Sequence, residues 1–168
     1  MRPSAHDHGA LVAARYRIAR SPHWRAVAKA HLAKHPRCAA CGPHARRVKL
    51  QVHHIFPFHW CVRLGRPDLE LDERNLITLC SGGDNHHLLL GHLDDYESAD
   101  LSVRWHATQT FHGFTRRELH TSARWLELRA ARFSSLGSMN RAHLQRVRAR
   151  LHSFGSRRID AVVRLKSV

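Results

Sequence analysis

Val52-His53-His54-Ile55-Phe56-Pro57, Asn75-Leu76-Ile77-Thr78-Leu79-Cys80 and Asn85-His86-His87-Leu88-Leu89-Leu90-Gly91-His92 are three blocks of one stretch, residues 52–92. Val48, Leu50 and Val52 alternate onto one face, so residues 48–55 are expected to form a strand. A loop of about twenty residues follows, punctuated by Pro57, Gly65 and Pro67. Leu76 to Cys80 reads as a second strand, and Ser81-Gly82-Gly83-Asp84-Asn85 as a turn. Asp84 or Asn85 can cap a following helix that carries His86 and His87. Strand, long loop, strand and helix give an α+β chain whose centre is dense in metal-ligating side chains.

Just upstream stands Cys38-Ala39-Ala40-Cys41-Gly42. Two thiolates three positions apart can share one tetrahedral Zn²⁺, because a tight turn brings both sulfurs to about 2.3 Å from it. The pair follows an expected helix, whereas a redox CxxC opens one after a strand. In a chain with four cysteines and no secretory signal, metal ligation takes precedence over disulfides.

The chain carries 28 Lys and Arg against 13 Asp and Glu, a net charge of +15, together with 17 histidines. The charge is segregated. Residues 1–52 hold 11 basic and one acidic side chain, residues 53–98 three basic and eight acidic, and residues 99–168 14 basic and four acidic. An acidic centre between cationic flanks suits a cation at the centre and a polyanion, most commonly nucleic acid, along the flanks. No apolar run reaches the roughly 20 residues needed to span a bilayer, and Met1 to Gly9 is polar and His-rich, so a cytoplasmic site with no membrane partner is expected.

Outside the centre, residues 10–20 could form a short basic helix after a tail at residues 1–9. Ser21-Pro22 is read as an N-cap and first helical position, with Trp24, Val27, Ala28 and Leu32 on one face and Pro36 as the stop. Residues 102–112 show no clear period. Residues 116–133 read as one helix with Leu119, Ala123, Leu126, Ala130 and Phe133 on its apolar face, Gly137 as a break, and residues 140–151 as another with Leu144, Val147 and Leu151 as its seam. Residues 154–168 are expected to be disordered. His6, His8, His31 and His120 fall outside any pattern and are expected at the surface.

The three blocks, taken with the CxxC, resemble the HNH endonuclease motif, in particular the small phage and bacterial HNH proteins that carry a CxxC before the first strand. The resemblance covers residues 21–110 or so. It implies a ββα-metal core with an N-terminal helix over residues 21–110; residues 1–20 read as a basic N-terminal tail and residues 111–168, outside the resemblance, as a basic, mainly helical C-terminal extension. It implies His54 as the general base, whose imidazole titrates near working pH, and Asn75 as the residue that fixes the loop and orients that base. His53 and His87 are implied as ligands of a divalent Mn, Mg, Ni or Zn ion, with His92 as a third ligand in members that use three histidines. The implied reaction is hydrolysis of DNA to 5′-phosphate and 3′-hydroxyl ends, and phage packaging machinery is an implied partner through the family's company. A non-catalytic zinc-stabilised nucleic-acid-binding or accessory protein is the alternative.

Two departures from the family pattern matter. The second CxxC is missing, since Gly83 stands three residues after Cys80. Cys38, Cys41, Cys80 and His86 are therefore expected as a Cys₃His structural zinc site, against a site that has lost its metal. Cys61 is expected as a buried small side chain and only a remote fourth ligand. His92 lies five residues after His87, about 140° around an α-helix, so the two share a face only if Gly91 ends or distorts it. Arg63, Arg66 and Arg74 border the long loop and are expected phosphate contacts, or partners for Asp68, Glu70, Asp72 and Glu73. His59 in the same loop could also touch phosphate, against a bland role.

Overall fold

β1 (Leu50–His54) and β2 (Leu76–Cys80) form a two-stranded antiparallel sheet, with Leu50 opposite Cys80 and His54 opposite Leu76. The computed structural model describes residues 18–42, 48–133 and 135–165, with residues 155–165 by their backbone. Every residue of β2 is buried, as its unbroken Leu-Ile-Thr-Leu-Cys run requires. Alternation sends His53 and His54 to opposite faces of β1.

α1 (Trp24–Lys34) precedes the CxxC and packs on the sheet. It begins two residues later than Ser21-Pro22 implies. His23 is the cap, without a side-chain cap bond, and Ser21 instead accepts the His23 N–H at 3.2 Å in the turn before the helix. The helix ends at Lys34, ahead of Pro36, as expected. Of the basic helix expected over residues 10–20, residues 18–20 are irregular and the rest lies outside the described residues, as does the tail. The long loop holds α2 (Phe58–Arg63) and two 3₁₀ turns, Pro67–Glu70 and Glu73–Asn75.

After β2 the chain does not enter an α-helix. A single π-helical turn, His87–Gly91, stands in its place. The aperiodic residues 102–112 are helical. α3 (Val103–Trp105) runs straight into a second π-helical turn, His106–Thr110. The helix expected over residues 116–133 is two, α4 (Arg116–Thr121) and α5 (Ala123–Ala130). Ser122 separates them by taking extended backbone, and its side chain caps α5 by accepting the Trp125 N–H, a role for which Ser is favoured over helix interiors. The expected apolar face breaks with it: Leu119 and Trp125 are buried and Leu126 is 43% exposed. Residues 141–165 form one helix, α6 (Arg141–Leu165), so most of the segment expected to be disordered is helical.

Leu79 and Cys80 of β2, Leu89 and Leu90 of the π turn, Val103, Phe111, Leu119, Trp125, Val147 and Leu151 belong to one buried cluster. The core therefore crosses the boundary drawn at residue 110. Trp125 also donates its indole N–H to the Leu89 carbonyl at 2.9 Å, inside the π turn. Among the described residues no helix is long and apolar enough to cross a membrane. Trp125→Phe keeps an aromatic side chain but loses one ring of the buried indole and the N–H that serves the Leu89 carbonyl, and is expected to lower stability by at least about 1–3 kcal/mol, read as a shift in denaturation midpoint with unchanged slope.

Candidate metal centres

The CxxC turn is held from two sides. Ala39 N–H donates to the Thr78 carbonyl of β2 at 2.9 Å, and Gly113 N–H donates to the Ala40 carbonyl at 2.7 Å. These bonds set Cys38 and Cys41 beside Cys80, the last residue of β2. Gly83 (φ 60°) and Asn85 (φ 52°) adopt left-handed backbone, which glycine and asparagine tolerate best. That turn brings His86 back under Cys80. The His86 Nδ1 then lies 3.5, 3.4 and 3.3 Å from the sulfurs of Cys38, Cys41 and Cys80, and the Cys41 and Cys80 sulfurs are 3.8 Å apart. A tetrahedral Zn²⁺ with normal bond lengths needs S···N edges of about 3.6 Å and S···S edges of about 3.8 Å. The cluster fits a structural zinc ion without rearrangement.

The other ring nitrogen of His86 donates to the Phe114 carbonyl at 2.7 Å, which leaves the Nδ1 lone pair facing the sulfurs. Burial works against a charged His86, yet its bonds to Cys38 and Cys80 raise it, and contacts from Cys41 and Cys80 lower the Cys38 thiol. Cys61 is remote from them: it is buried, donates to the Phe56 carbonyl at 3.4 Å, and burial raises it to about 12.

On the other face of the hairpin, His53, His87 and His92 offer ligand atoms that all lie within 4.8 Å of one another. Their ring centroids are 5.2, 4.8 and 5.0 Å apart, each pair nearly perpendicular. His87 and His92 converge because the turn between them is π-helical. Closed by i→i+5 bonds, it is wound more widely than an α-turn, which brings residues five apart closer to one face than the α-helical angle allows. Gly91 matters for a second reason: a Cβ there would sit 2.8 Å from the His53 ring. The His53 Nε2 is buried with no hydrogen-bond partner. His92 donates from Nδ1 to the Ser98 carbonyl at 2.9 Å, turning Nε2 to the cluster. A buried, unpartnered imidazole nitrogen and three crossed rings suit a borderline divalent ion better than Mg²⁺. Tyr96 packs against His92 at 5.0 Å and His87 at 6.2 Å; no spacing in the sequence marks it.

His54 is half-buried, tilted on Trp24 of α1 with ring centroids 4.5 Å apart, and its Nε2–H donates to the Glu70 carbonyl at 3.0 Å. Burial and the nearby Arg20 lower it to about 3, so it is neutral but a weaker base than the imidazole titrating near working pH that the family resemblance implies. Asn75 is fully buried and fully bonded. It accepts from Phe56 N–H at 2.8 Å and donates to the carbonyls of Phe56 at 3.1 Å and Leu69 at 3.0 Å. It thus closes both ends of the long loop, as expected, but reaches His54 only through the loop: the atom touching the imidazole is the carbonyl of Glu70, beside Leu69. Glu70 itself is buried, its carboxylate bound by Arg20 at 2.7 Å and by Ser21 N–H at 2.8 Å.

Arg66 and Arg74 take the carboxylate pairing that the sequence left open beside phosphate contact. Arg66 forks onto Asp68 at 2.9 and 2.7 Å and donates to the Leu151 carbonyl at 3.2 Å. Arg74 pairs with Asp72 at 3.0 and 2.6 Å and donates to the Phe154 carbonyl at 2.5 Å. Both hold α6 against the loop. Arg63 ends α2 with an exposed side chain. His59 is buried in the first turn of α2, away from solvent.

Comparison with protein-family models, with curated proteins and with solved structures gives no match in any of the three. His86→Ala is expected to cut zinc affinity by at least about tenfold, so that purified protein falls well below one zinc per chain by mass spectrometry and its melting no longer responds to a chelator.

Proposed function

We propose that the chain is a metal-dependent endonuclease of HNH type acting on DNA, built on a ββα-metal-like hairpin in which a π-helical turn replaces the helix. One observation carries this reading. His53, His87 and His92 converge on one point at the end of the hairpin whose next residue, His54, is held by a backbone carbonyl, and Asn75 ties that loop shut.

The roles of the chain's own groups follow. His54 donates Nε2–H to Glu70, so its Nδ1 carries the lone pair that takes a proton from the attacking water. Because His54 sits on the opposite strand face from His53, it stays out of the three-histidine ligand cluster and is left to act as base. His53, His87 and His92 would hold a divalent Mn, Ni or Zn ion, whose chemistry is to stabilise negative charge growing on the scissile phosphate. Asn75 and the Arg20–Glu70 pair are positioning residues, keeping the Glu70 carbonyl under His54. The exposed Arg25 and Lys29 of α1 and Arg146, Arg148 and Arg150 of α6 supply cationic surface for the DNA backbone.

The test is cleavage of supercoiled plasmid with Mn²⁺, Mg²⁺, Ni²⁺ or Zn²⁺ by the parent protein and by His54→Ala. The expected result is cutting by the parent that drops by about 10²–10⁴-fold in the variant, with zinc content unchanged. Equal cutting by both, or none with any metal, overturns the reading.

A further inference from the structure

His31 belongs to neither centre. Its expected place is the surface, but α1 buries it to 6% exposure, and neither ring nitrogen has a hydrogen-bond partner. A buried imidazole with both nitrogens unsatisfied costs free energy that a ligand would recover. His35, one helical turn on, brings its ring centroid within 4.6 Å. Glu73, from the 3₁₀ turn before β2, places a carboxylate oxygen 3.4 Å from the His35 Nε2. One ligand atom from each of the three lies within 4.8 Å of the others. A cavity of about 730 Å³ opens beside them, lined also by Lys34, Arg37 and Arg104, with room for water.

We propose that His31, His35 and Glu73 form a third metal site, taking a borderline divalent transition-metal ion with water from the cavity completing its shell. Two imidazoles and one carboxylate are a ligand set for Zn²⁺, Co²⁺ or Ni²⁺ and not for Ca²⁺. His31 is ready as a ligand: burial first, then His35, Arg104 and Lys34, hold it below its ordinary range, so the ring is neutral and its lone pair free. The resident competitor is Lys34, whose ammonium lies 2.6 Å from the same Glu73 oxygen. An ion at this site displaces it, which makes the site weaker than the Cys₃His cluster and sensitive to position 34. When filled, it ties the end of α1 to the segment leading into Asn75.

The proposal does not depend on nuclease activity. Full-length protein carrying one zinc per chain, so that only the tighter Cys₃His cluster is filled, is titrated with Ni²⁺ by calorimetry, alongside Glu73→Gln and Lys34→Met. Neither variant changes the number of histidines, so scattered nickel binding by the other imidazoles is constant. Both side chains are exposed, and melting without nickel reports that the fold is kept. Glu73→Gln is expected to weaken one class of sites by an order of magnitude or more. Lys34→Met is expected to tighten that same class several-fold. Either variant titrating like the parent overturns the site. A parallel titration with inorganic phosphate distinguishes an anion-binding cavity: phosphate affinity lost in Lys34→Met, with nickel binding unchanged, also overturns it.

Discussion

Three sulfurs and one imidazole converging on a point join the turn after α1, the end of β2 and the residue that starts the π turn, segments that also share the buried core. A five-residue hairpin is marginal by itself. Here its open end is closed by the Cys38–Cys41–Cys80–His86 cluster and its far end by the Asn75 side chain. A zinc ion in the cluster adds binding free energy directly to folding free energy. The consequence for the neighbouring residue is geometric. Once His86 is committed to the sulfurs, the turn that follows it is fixed in rotation, and His87 leaves on a different bearing. The π turn then returns His92 beside His87, and Gly91 lets both approach His53.

The candidate metal ligands were largely legible in the sequence because ligation needs particular side chains at particular spacings. Cys38, Cys41, Cys80 and His86 stand together as expected, and so do His53, His87 and His92. What spacing could not show is backbone irregularity. The α-helical angle sets His87 and His92 apart, and only the π turn reconciles them; nothing in Leu88-Leu89-Leu90 announces it beyond the glycine that follows. The single helix expected over residues 116–133 fails for a comparable reason. Ser122 is tolerable in a helix by propensity, but its side chain serves better as a cap, and Trp125 is buried by the break. His31 was misplaced because a polar residue on a mixed helix face carries no sign of its burial.

Charge was legible as a total and less so as contacts. Arg66 and Arg74 answer Asp68 and Asp72 and reach the carbonyls of α6, while Arg129 and Arg132 of the C-terminal part lie 3.1 Å from Asp94 and 3.7 Å from Asp95. Much of the acidic centre is thus neutralised from within. The C-terminal part packs into the core: Phe114 orients His86, Trp125 braces the π turn, and Val147 and Leu151 belong to the buried cluster. Exposed basic side chains remain on the outer faces of α1 and α6, at Arg25, Lys29, Arg146, Arg148 and Arg150, and also at Arg116, Arg117 and Arg124.

The central claim is that adjacent histidines serve two different metals. Anomalous diffraction from crystals of the zinc-loaded protein soaked in Mn²⁺ tests it most directly. The account predicts a zinc peak enclosed by Cys38, Cys41, Cys80 and His86, and a separate manganese peak enclosed by His53, His87 and His92. A single peak shared by His86 and His87, or no peak between the three imidazoles, would contradict it.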